Sequence, residues 1–226
     1  ALQAKTEGIN GNFDCVTYLD ISTDPEEDGA EVYTDVKTAK EALGATSPHA
    51  AALWPMGAVG DKVYYLSAMF AALTAYTDAG NSDVPYESPS NKDLKITKTV
   101  LKDGTEVLLD QQQANDLLNA NGVITAINAN GYKAWGNNTA AYPSTTDPKD
   151  RWLAVRRFFD WDGNNFILTY FQKVDKPGNT RLIQSIVDSQ NIIGNGYVAR
   201  DYCAGYRTEF KSDENPITNL LDGHLT

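Results

Sequence analysis

The chain has 226 residues, 42% of them hydrophobic, and a formal net charge of −11. This composition is sufficient for a folded core, and the length predicts one or two domains. The acidic balance argues against a nucleic-acid-binding protein, because neutralising phosphates requires a basic surface. No apolar run reaches the ~18–20 residues of a membrane-spanning helix, which argues against direct membrane insertion.

The first third of the chain predicts a β-α-β order. Residues 13–19 alternate as in a strand, and the turn-rich residues 24–29 follow as a solvated acidic loop. Thr34 is a candidate N-cap for a helix that ends at Gly44. Residues 50–54 form a short apolar run typical of a buried strand.

The middle of the chain continues the alternation. Residues 64–79 have apolar side chains at helical spacing and predict a largely buried helix. Residues 94–101 predict a strand. Asp110 is a predicted N-cap with Gln113 at the reciprocal position, for a helix that Gly122 ends. Two strands are predicted next, at 123–127 and 132–135.

The last third is predicted less regularly. Residues 136–148 are polar and predict a loop, 152–155 a short strand, and 164–174 a helix. A further helix, with apolar side chains at helical spacing from Leu182 to Ile193, is predicted to end near Gly194. Residues 206–210 predict a final strand. Strands alternating with helices indicate an α/β fold with a mixed, mostly parallel sheet flanked by helices.

Motifs that carry chemistry are weak, so the chain is not expected to be an enzyme. His49 and His224, the two histidines, have no candidate nucleophile near them in sequence and are interpreted as structural. Residues 194–199 fit a dinucleotide-binding pattern by letter, but they follow a helix instead of preceding one. Residues 160–164 resemble the start of a calcium loop, but the later positions fail, so a polar turn or helix cap is preferred.

The two cysteines are too few for a disulfide framework, and Cys15 is interpreted as a small core residue. Neither cysteine has zinc-site neighbours at the usual spacing. The acidic side chains at 24–28 could hold a cation weakly, but solvation is the simpler interpretation. No cofactor or metal is therefore expected.

Three blocks in order resemble the contractile tail sheath proteins of phages, prophages and R-type bacteriocins. The first block comprises residues 14–20, LWP at 53–55 and a small-residue helix that ends in TDAG at 77–80, followed by a Ser/Pro/Asn stretch at 87–91. The second block runs from residues 112–123 to AWGNNT at 134–139. The third block is RWLAVRR at 151–157. Departures occur at Ile124 and Asn138, where the family usually has asparagine and arginine.

The resemblance implies a structural subunit with a tail-sheath-like core, organised as regions 1–110 and 111–226 or as one continuous domain. It implies copies that polymerise around a tail tube protein, contact a baseplate and contract to drive the tube through the host envelope. The implied location is the virion tail, assembled in the bacterial host cytoplasm. The chain is expected to be a fragment that lacks the family's terminal arms and C-terminal region. Two alternatives remain: an α/β ligand-binding or enzymatic domain, and a cell-surface or capsid-associated structural domain of unrelated descent.

Charge is unevenly distributed along the chain. Residues 1–35 hold nine acidic residues and one lysine, whereas a cationic cluster is formed by Lys149, Arg151, Arg156 and Arg157. With the sheath resemblance, these two regions are candidates for contacts between subunits or with the tube. The alternative interpretation is ordinary surface charge.

Overall fold

The computed structural model describes residues 3–6, 8–174, 176 and 179–216. The chain forms two compact units, Ala1–Asn164 and Asn165–Thr226. The predicted division near residue 110 stays a prediction, although strands from either side of it pair in one sheet. His224 lies outside the described residues.

Seven strands and six α-helices are assigned in the described part of the chain. The strands are β1 Thr17–Asp20, β2 Ala50–Leu53, β3 Met56–Val59, β4 Lys62–Tyr64, β5 Lys98–Val100, β6 Val123–Asn128 and β7 Tyr132–Trp135. The helices are α1 Val36–Leu43, α2 Leu66–Gly80, α3 Gln111–Gln113, α4 Pro148–Arg151, α5 Leu153–Tyr170 and α6 Thr180–Ala199. A π-helical segment, Ala114–Leu118, and a 3₁₀ turn, Asn119–Asn121, continue α3.

Two sheets organise the first unit. The larger has the order β1-β2-β6-β7, in which β1, β2 and β6 are parallel and β7 is antiparallel to β6. The smaller, β4-β3-β5, is antiparallel throughout. The predicted mixed, mostly parallel α/β sheet flanked by helices is confirmed for the larger sheet.

Strand β2 is buried on both faces, and its alternate side chains feed two separate cores. Ala50, Ala52 and the following Trp54 join the core that contains Val36 and Ala39 of α1. Ala51 and Leu53 join the core that contains Leu66 and Phe70 of α2. Because a central parallel strand has helices on both sides, it is apolar at every position instead of alternating. This explains why residues 50–54 were predictable as a buried strand.

Local capping follows the sequence closely at α3. The Asp110 carboxylate accepts from the Gln113 backbone N–H at 2.7 Å, and the Gln113 side chain accepts from the Asp110 N–H at 3.1 Å. This reciprocal pair confirms the predicted capping box. At α1 the cap residue is Asp35 instead of the predicted Thr34, while Gly44 ends the helix with a left-handed φ of 67° as expected.

Helix α2 receives its N-terminal cap from another element. Its own N-cap residue, Tyr65, makes no side-chain capping bond. Instead, the Asp20 carboxylate at the end of β1 accepts from the Ser67 backbone N–H at 2.9 Å. Burial raises the pKa of Asp20, and the hydrogen bonds from this helix end oppose that shift. The contact fixes the start of α2 against the sheet.

The region after residue 150 differs from the prediction. Residues 153–155 belong to helix α5, which runs from Leu153 to Tyr170, and Trp152 makes only an isolated bridge with Asn138. The predicted strand at 152–155 and the predicted polar turn or helix cap at 160–164 are therefore wrong. Residues 206–210, which were predicted as a strand, have no strand assignment in the described part of the second unit.

Helix α6 continues past the glycine at which it was predicted to end. Gly194 lies within the helix, and a Cβ at this position would overlap the ring of Tyr206. The Tyr206 hydroxyl accepts from the Gln190 side-chain amide at 2.7 Å, so the ring lies across the helix surface. Gly194 therefore permits a close approach of the following segment.

Lys40 is a buried cation on α1, with 6% of its surface exposed. Its ammonium donates to the backbone carbonyls of Asn121 at 2.6 Å and Tyr142 at 2.9 Å. These bonds connect α1 to the turn that ends at Gly122. Burial lowers the pKa of Lys40 to about 8.

Stability should therefore rise with pH in the range where only the folded state has lost the Lys40 proton. Below about pH 8 both states carry the charge. Between there and the ordinary lysine pKa of about 10.4, the unfolded state binds more protons, so the free energy of unfolding increases, by about 3 kcal/mol in total. Urea denaturation at a series of pH values, compared with Lys40→Met, measures this. An identical pH dependence in the two proteins would contradict it.

Candidate functional site

The predicted cationic cluster is largely turned inward. Of its four members, Lys149 is exposed, whereas Arg151, Arg156 and Arg157 are partly buried. The Arg151 guanidinium lies 4.3 Å from the centre of the Tyr142 ring and 4.2 Å from that of Trp152. Cation–π contacts of this kind hold the side chain against its own chain.

Arg157 forms an ion pair with Asp78 at the end of α2. Only 13% of the Arg157 side chain and 19% of the Asp78 side chain are exposed. Two guanidinium nitrogens face the two carboxylate oxygens, the bidentate arrangement that gives the strongest arginine pairs. The pair joins α5 to the far end of α2.

Arg156 belongs to a buried charged network. Its Nε donates to Asp160 Oδ1 at 2.9 Å and its Nη1 to Asp150 Oδ1 at 3.1 Å. The other oxygen of Asp160 lies 3.1 Å from Nδ1 of His49, at the start of β2. His49 and Asp160 are 7% and 6% exposed. This network joins α4, α5 and the central strand β2.

The structure therefore places three of the four predicted contact residues in contacts within the chain. Sequence reasoning could not find the partner of Arg157, because Asp78 lies far from α5 along the chain. The partner of Arg156 is local, since Asp160 lies four residues later on the same helix. The acidic loop at 24–28 also has a cationic neighbour, since Lys102 Nζ lies 3.3 Å from Asp24 and 3.6 Å from Glu27.

Cysteine positions differ from the prediction in one respect. Cys15 is exposed, so its interpretation as a core residue is wrong. It precedes β1 at the margin of the sheet, where the predicted strand alternation does not yet apply. Cys203 is partly exposed, and both cysteines are free thiols.

Large apolar side chains are exposed on the second unit. Leu168, Phe171 and Val174 follow one another at intervals of three residues, and each is more than 60% exposed. Leu168 lies in the last turn of α5, Phe171 opens the 3₁₀ turn Phe171–Lys173 that follows, and Val174 is the residue after that turn. Ile192 of α6 is 72% exposed. We call Leu168, Phe171 and Val174 the apolar stripe; the sequence pattern alone did not single it out.

The dinucleotide-like residues 194–199 lie within α6 and its end. The glycines therefore precede no helix N-terminus, and the arrangement that binds a pyrophosphate is not formed there. In the part of the chain that is described, no helix has both the length and the apolar character needed to cross a membrane.

Sequence comparisons relate the chain to phage sheath proteins. No family model matches it. A tail sheath protein of Burkholderia phage BcepMu is 31% identical over 169 residues, which are 73% of this chain and 34% of that protein. A tail sheath protein of Escherichia phage P2 is 30% identical over 115 residues, 49% of this chain and 27% of that protein. The matched region thus spans about a third of these curated relatives.

Solved structures share the fold. A chain of the contracted PVC sheath complex, from an extracellular contractile injection system, has a TM-score of 0.69 and 19% identity, with 92% of this chain and 57% of that chain covered. A chain of the anti-feeding prophage baseplate has a TM-score of 0.63 and 20% identity, covering 94% and 51%. These comparisons confirm the predicted resemblance and the tail-sheath-like fold.

Proposed function

We propose that this chain, which is related to tail sheath proteins by sequence and by fold, is part of the subunit of a contractile tail sheath. In this role, copies polymerise around a tail tube and contract to drive the tube through the host envelope. The partners are other copies, the tube protein and the baseplate, and the location is the virion tail assembled in the host cytoplasm. The role is structural and not catalytic.

The observation that carries this proposal is the 31% identity to a tail sheath protein across 73% of the chain. Similarity of fold to a sheath in its contracted state agrees with it. The comparisons give no support to the alternative of a ligand-binding or enzymatic α/β domain.

The first unit suits a part that transmits force. Contraction requires rigid subunits whose mutual packing has two arrangements. The bidentate Arg157–Asp78 pair and the Arg156–Asp160–His49 network link helices α2 and α5 and strand β2 through partly or fully buried charges. Such links resist local deformation, so movement is expected at contacts between copies.

The apolar stripe is the surface that we assign to contacts in the assembly. Exposed apolar patches on soluble proteins frequently mark interaction sites, since leaving them in water is unfavourable. Burying a leucine or phenylalanine side chain contributes about 1.5–3 kcal/mol. Leu168 and Phe171 together therefore provide a substantial part of the free energy of one contact.

Replacing both Leu168 and Phe171 by glutamate should abolish tube formation by the complete gene product. Two carboxylates would then have to be desolvated in the contact, which is strongly unfavourable. Negative-stain electron microscopy and sedimentation velocity measure the assembly. Leu108→Glu is the matched control, because Leu108 is 71% exposed in the first unit, and this variant should assemble like the wild type.

Wild-type protein that remains monomeric in the presence of the tail tube would contradict the proposed polymerisation. Normal tubes from the double variant would contradict only the assignment of the stripe.

The same assay examines the cationic cluster: we propose that Lys149, the exposed member, is the one that contacts a neighbour or the tube. Lys149→Glu tests this without breaking the internal pairs of Arg156 and Arg157.

A further inference from the structure

Three potential metal-ligating side chains converge beside the larger sheet. One ligand atom from each of Asp14, His49 and Asp160 lies within 4.8 Å of the other two. His49 and Asp160 are more than nine-tenths buried, and Asp14 is partly buried. Asp14 precedes β1, His49 precedes β2, and Asp160 lies within α5, so the cluster joins three separate parts of the first unit.

The fold holds the Asp14 segment firmly in this position. The side-chain amide of Asn164, one turn after Asp160 on α5, pairs with the Asp14 backbone: Asp14 N–H donates to Asn164 Oδ1 at 3.0 Å, and Asn164 Nδ2 donates to the Asp14 carbonyl at 2.8 Å. Asp14 Oδ1 accepts from the Gly8 N–H at 2.9 Å. The His49 N–H donates to Ser47 Oγ at 3.0 Å.

The charges at the cluster leave room for a cation. The Arg156 guanidinium pairs with the carboxylates of Asp150 and Asp160, and the Asp14 carboxylate lies beside His49 and Asp160. Three carboxylates and one guanidinium carry a net negative charge whether the imidazole is neutral or protonated. This guanidinium occupies Asp150 Oδ1 and Asp160 Oδ1. Asp160 Oδ2 points instead to the imidazole. A bound divalent ion would therefore neutralise a net negative, buried environment.

We propose that Asp14, His49 and Asp160 bind a divalent first-row transition-metal ion of the Zn²⁺ type. Imidazole nitrogen and carboxylate oxygen are ordinary ligands for such ions, at about 2.0–2.2 Å. Two such ligands of a tetrahedral ion lie about 3.3 Å apart, close to the 3.1 Å between His49 Nδ1 and Asp160 Oδ2. The ion takes the place of the proton that these two atoms share.

The surroundings supply what a metal site needs beyond its ligands. Arg156 holds the second oxygen of Asp160, which orients the first toward the ion, as outer hydrogen bonds commonly do in metal sites. The Asp14 ligand atom lies within 4.8 Å of the other two, so rotation of its carboxylate supplies the third ligand, and water completes the coordination. The bound ion fastens the segments before β1 and β2 to α5. This site does not depend on the proposed sheath function.

Metal binding is measured on the 226-residue chain after treatment with EDTA, by titration calorimetry with Zn²⁺ and by absorption with Co²⁺. One ion per chain is expected, with a melting temperature raised by about 5–10 °C at a hundredfold excess over the dissociation constant. Asp14→Asn should weaken binding at least about tenfold, while its Oδ1 can still accept from Gly8 N. Asp162 lies on α5, like Asp160, but outside the cluster, so Asp162→Asn should bind the metal ion like the wild type.

Absence of saturable binding by the wild type would overturn the proposal, and so would unchanged affinity in Asp14→Asn. An intense ultraviolet thiolate-to-cobalt band would also overturn it, because it would place the ion on Cys15 or Cys203. Circular dichroism shows whether Asp14→Asn is folded. If it is not, the wild-type cobalt spectrum and the affinity of His49→Gln decide the question.

Discussion

Replacing Asp160 by alanine should lower the free energy of unfolding by about 3–5 kcal/mol, measured by urea denaturation at pH 7 in EDTA. The Asp160 carboxylate is buried and receives Arg156 on one oxygen and His49 on the other. Its removal deprives the Arg156 guanidinium of its closest partner, although the Arg156 side chain is only 13% exposed. Removing one member of a buried pair is this unfavourable because the other charge stays desolvated.

Two further variants make the interpretation specific. Asp116→Ala removes an exposed helical aspartate of the same unit and should change stability by less than about 0.5 kcal/mol. Asp160→Asn, which keeps a hydrogen-bond acceptor but no charge, should fall between the two. If Asp160→Ala were as stable as Asp116→Ala, the network would contribute nothing to the fold.

Gly122→Ala should lower stability by about 3–4 kcal/mol. Gly122 ends the turn after α3 with a φ of 69°, a left-handed conformation that disfavours a Cβ. A Cβ there would also overlap the backbone carbonyl of Tyr142 and lie 2.7 Å from that of Thr139 and 2.8 Å from Lys40 Nζ. Backbone atoms cannot move aside cheaply, so the Lys40 contacts should be lost as well.

Gly44 provides a closely matched comparison. It ends α1 with a φ of 67°, but a Cβ there would meet nothing within 4 Å. Gly44→Ala should therefore show the conformational penalty alone, about 1–2 kcal/mol. The difference between the two variants, measured by thermal and urea unfolding, isolates the effect of crowding. Equal losses would show that crowding at Gly122 is relieved by movement of the chain around it.

Local signals in the sequence predicted the centre of the fold well. Strand β2 was identifiable because Ala50–Leu53 is apolar at every position between turn residues. The capping box at Asp110 was identifiable from the type and spacing of two side chains. Helix α2 was identifiable from its periodicity, but the prediction that it is largely buried is wrong, since four of its 15 residues are buried and Tyr76 is 79% exposed. Each of these features depends on residues close together in the chain, which is the range that such patterns describe.

The errors arose where distant packing overrides local preference. Gly163 and its polar neighbours favour a turn, yet α5 continues through them, with Asn164 bonded to the Asp14 backbone and Asp160 bonded to His49. Gly194 favours a helix end, yet α6 continues because the Tyr206 ring requires the space that a glycine leaves. In both helices the deciding partner lies in a segment that no local pattern could identify.

The candidate sites show the same limit. Composition identified the cationic cluster at 149–157, but whether a guanidinium faces solvent depends on a partner such as Asp78 from another helix. The converging Asp14, His49 and Asp160 come from three elements, with no spacing that resembles a metal motif. The relationship to sheath proteins was predictable because three short blocks occur in the family's order.

The inward pairing of Arg156 and Arg157 has an electrostatic consequence for a protein with a net charge of −11. Both arginines pair with carboxylates of their own chain. In the proposed assembly, approaching copies would therefore meet predominantly negative surfaces. Their repulsion extends over a Debye length, about 8 Å at physiological ionic strength and about 30 Å at 0.01 M. Added salt shortens that reach while leaving hydrophobic attraction in place, so in the proposed assembly we expect association between copies to strengthen as ionic strength rises.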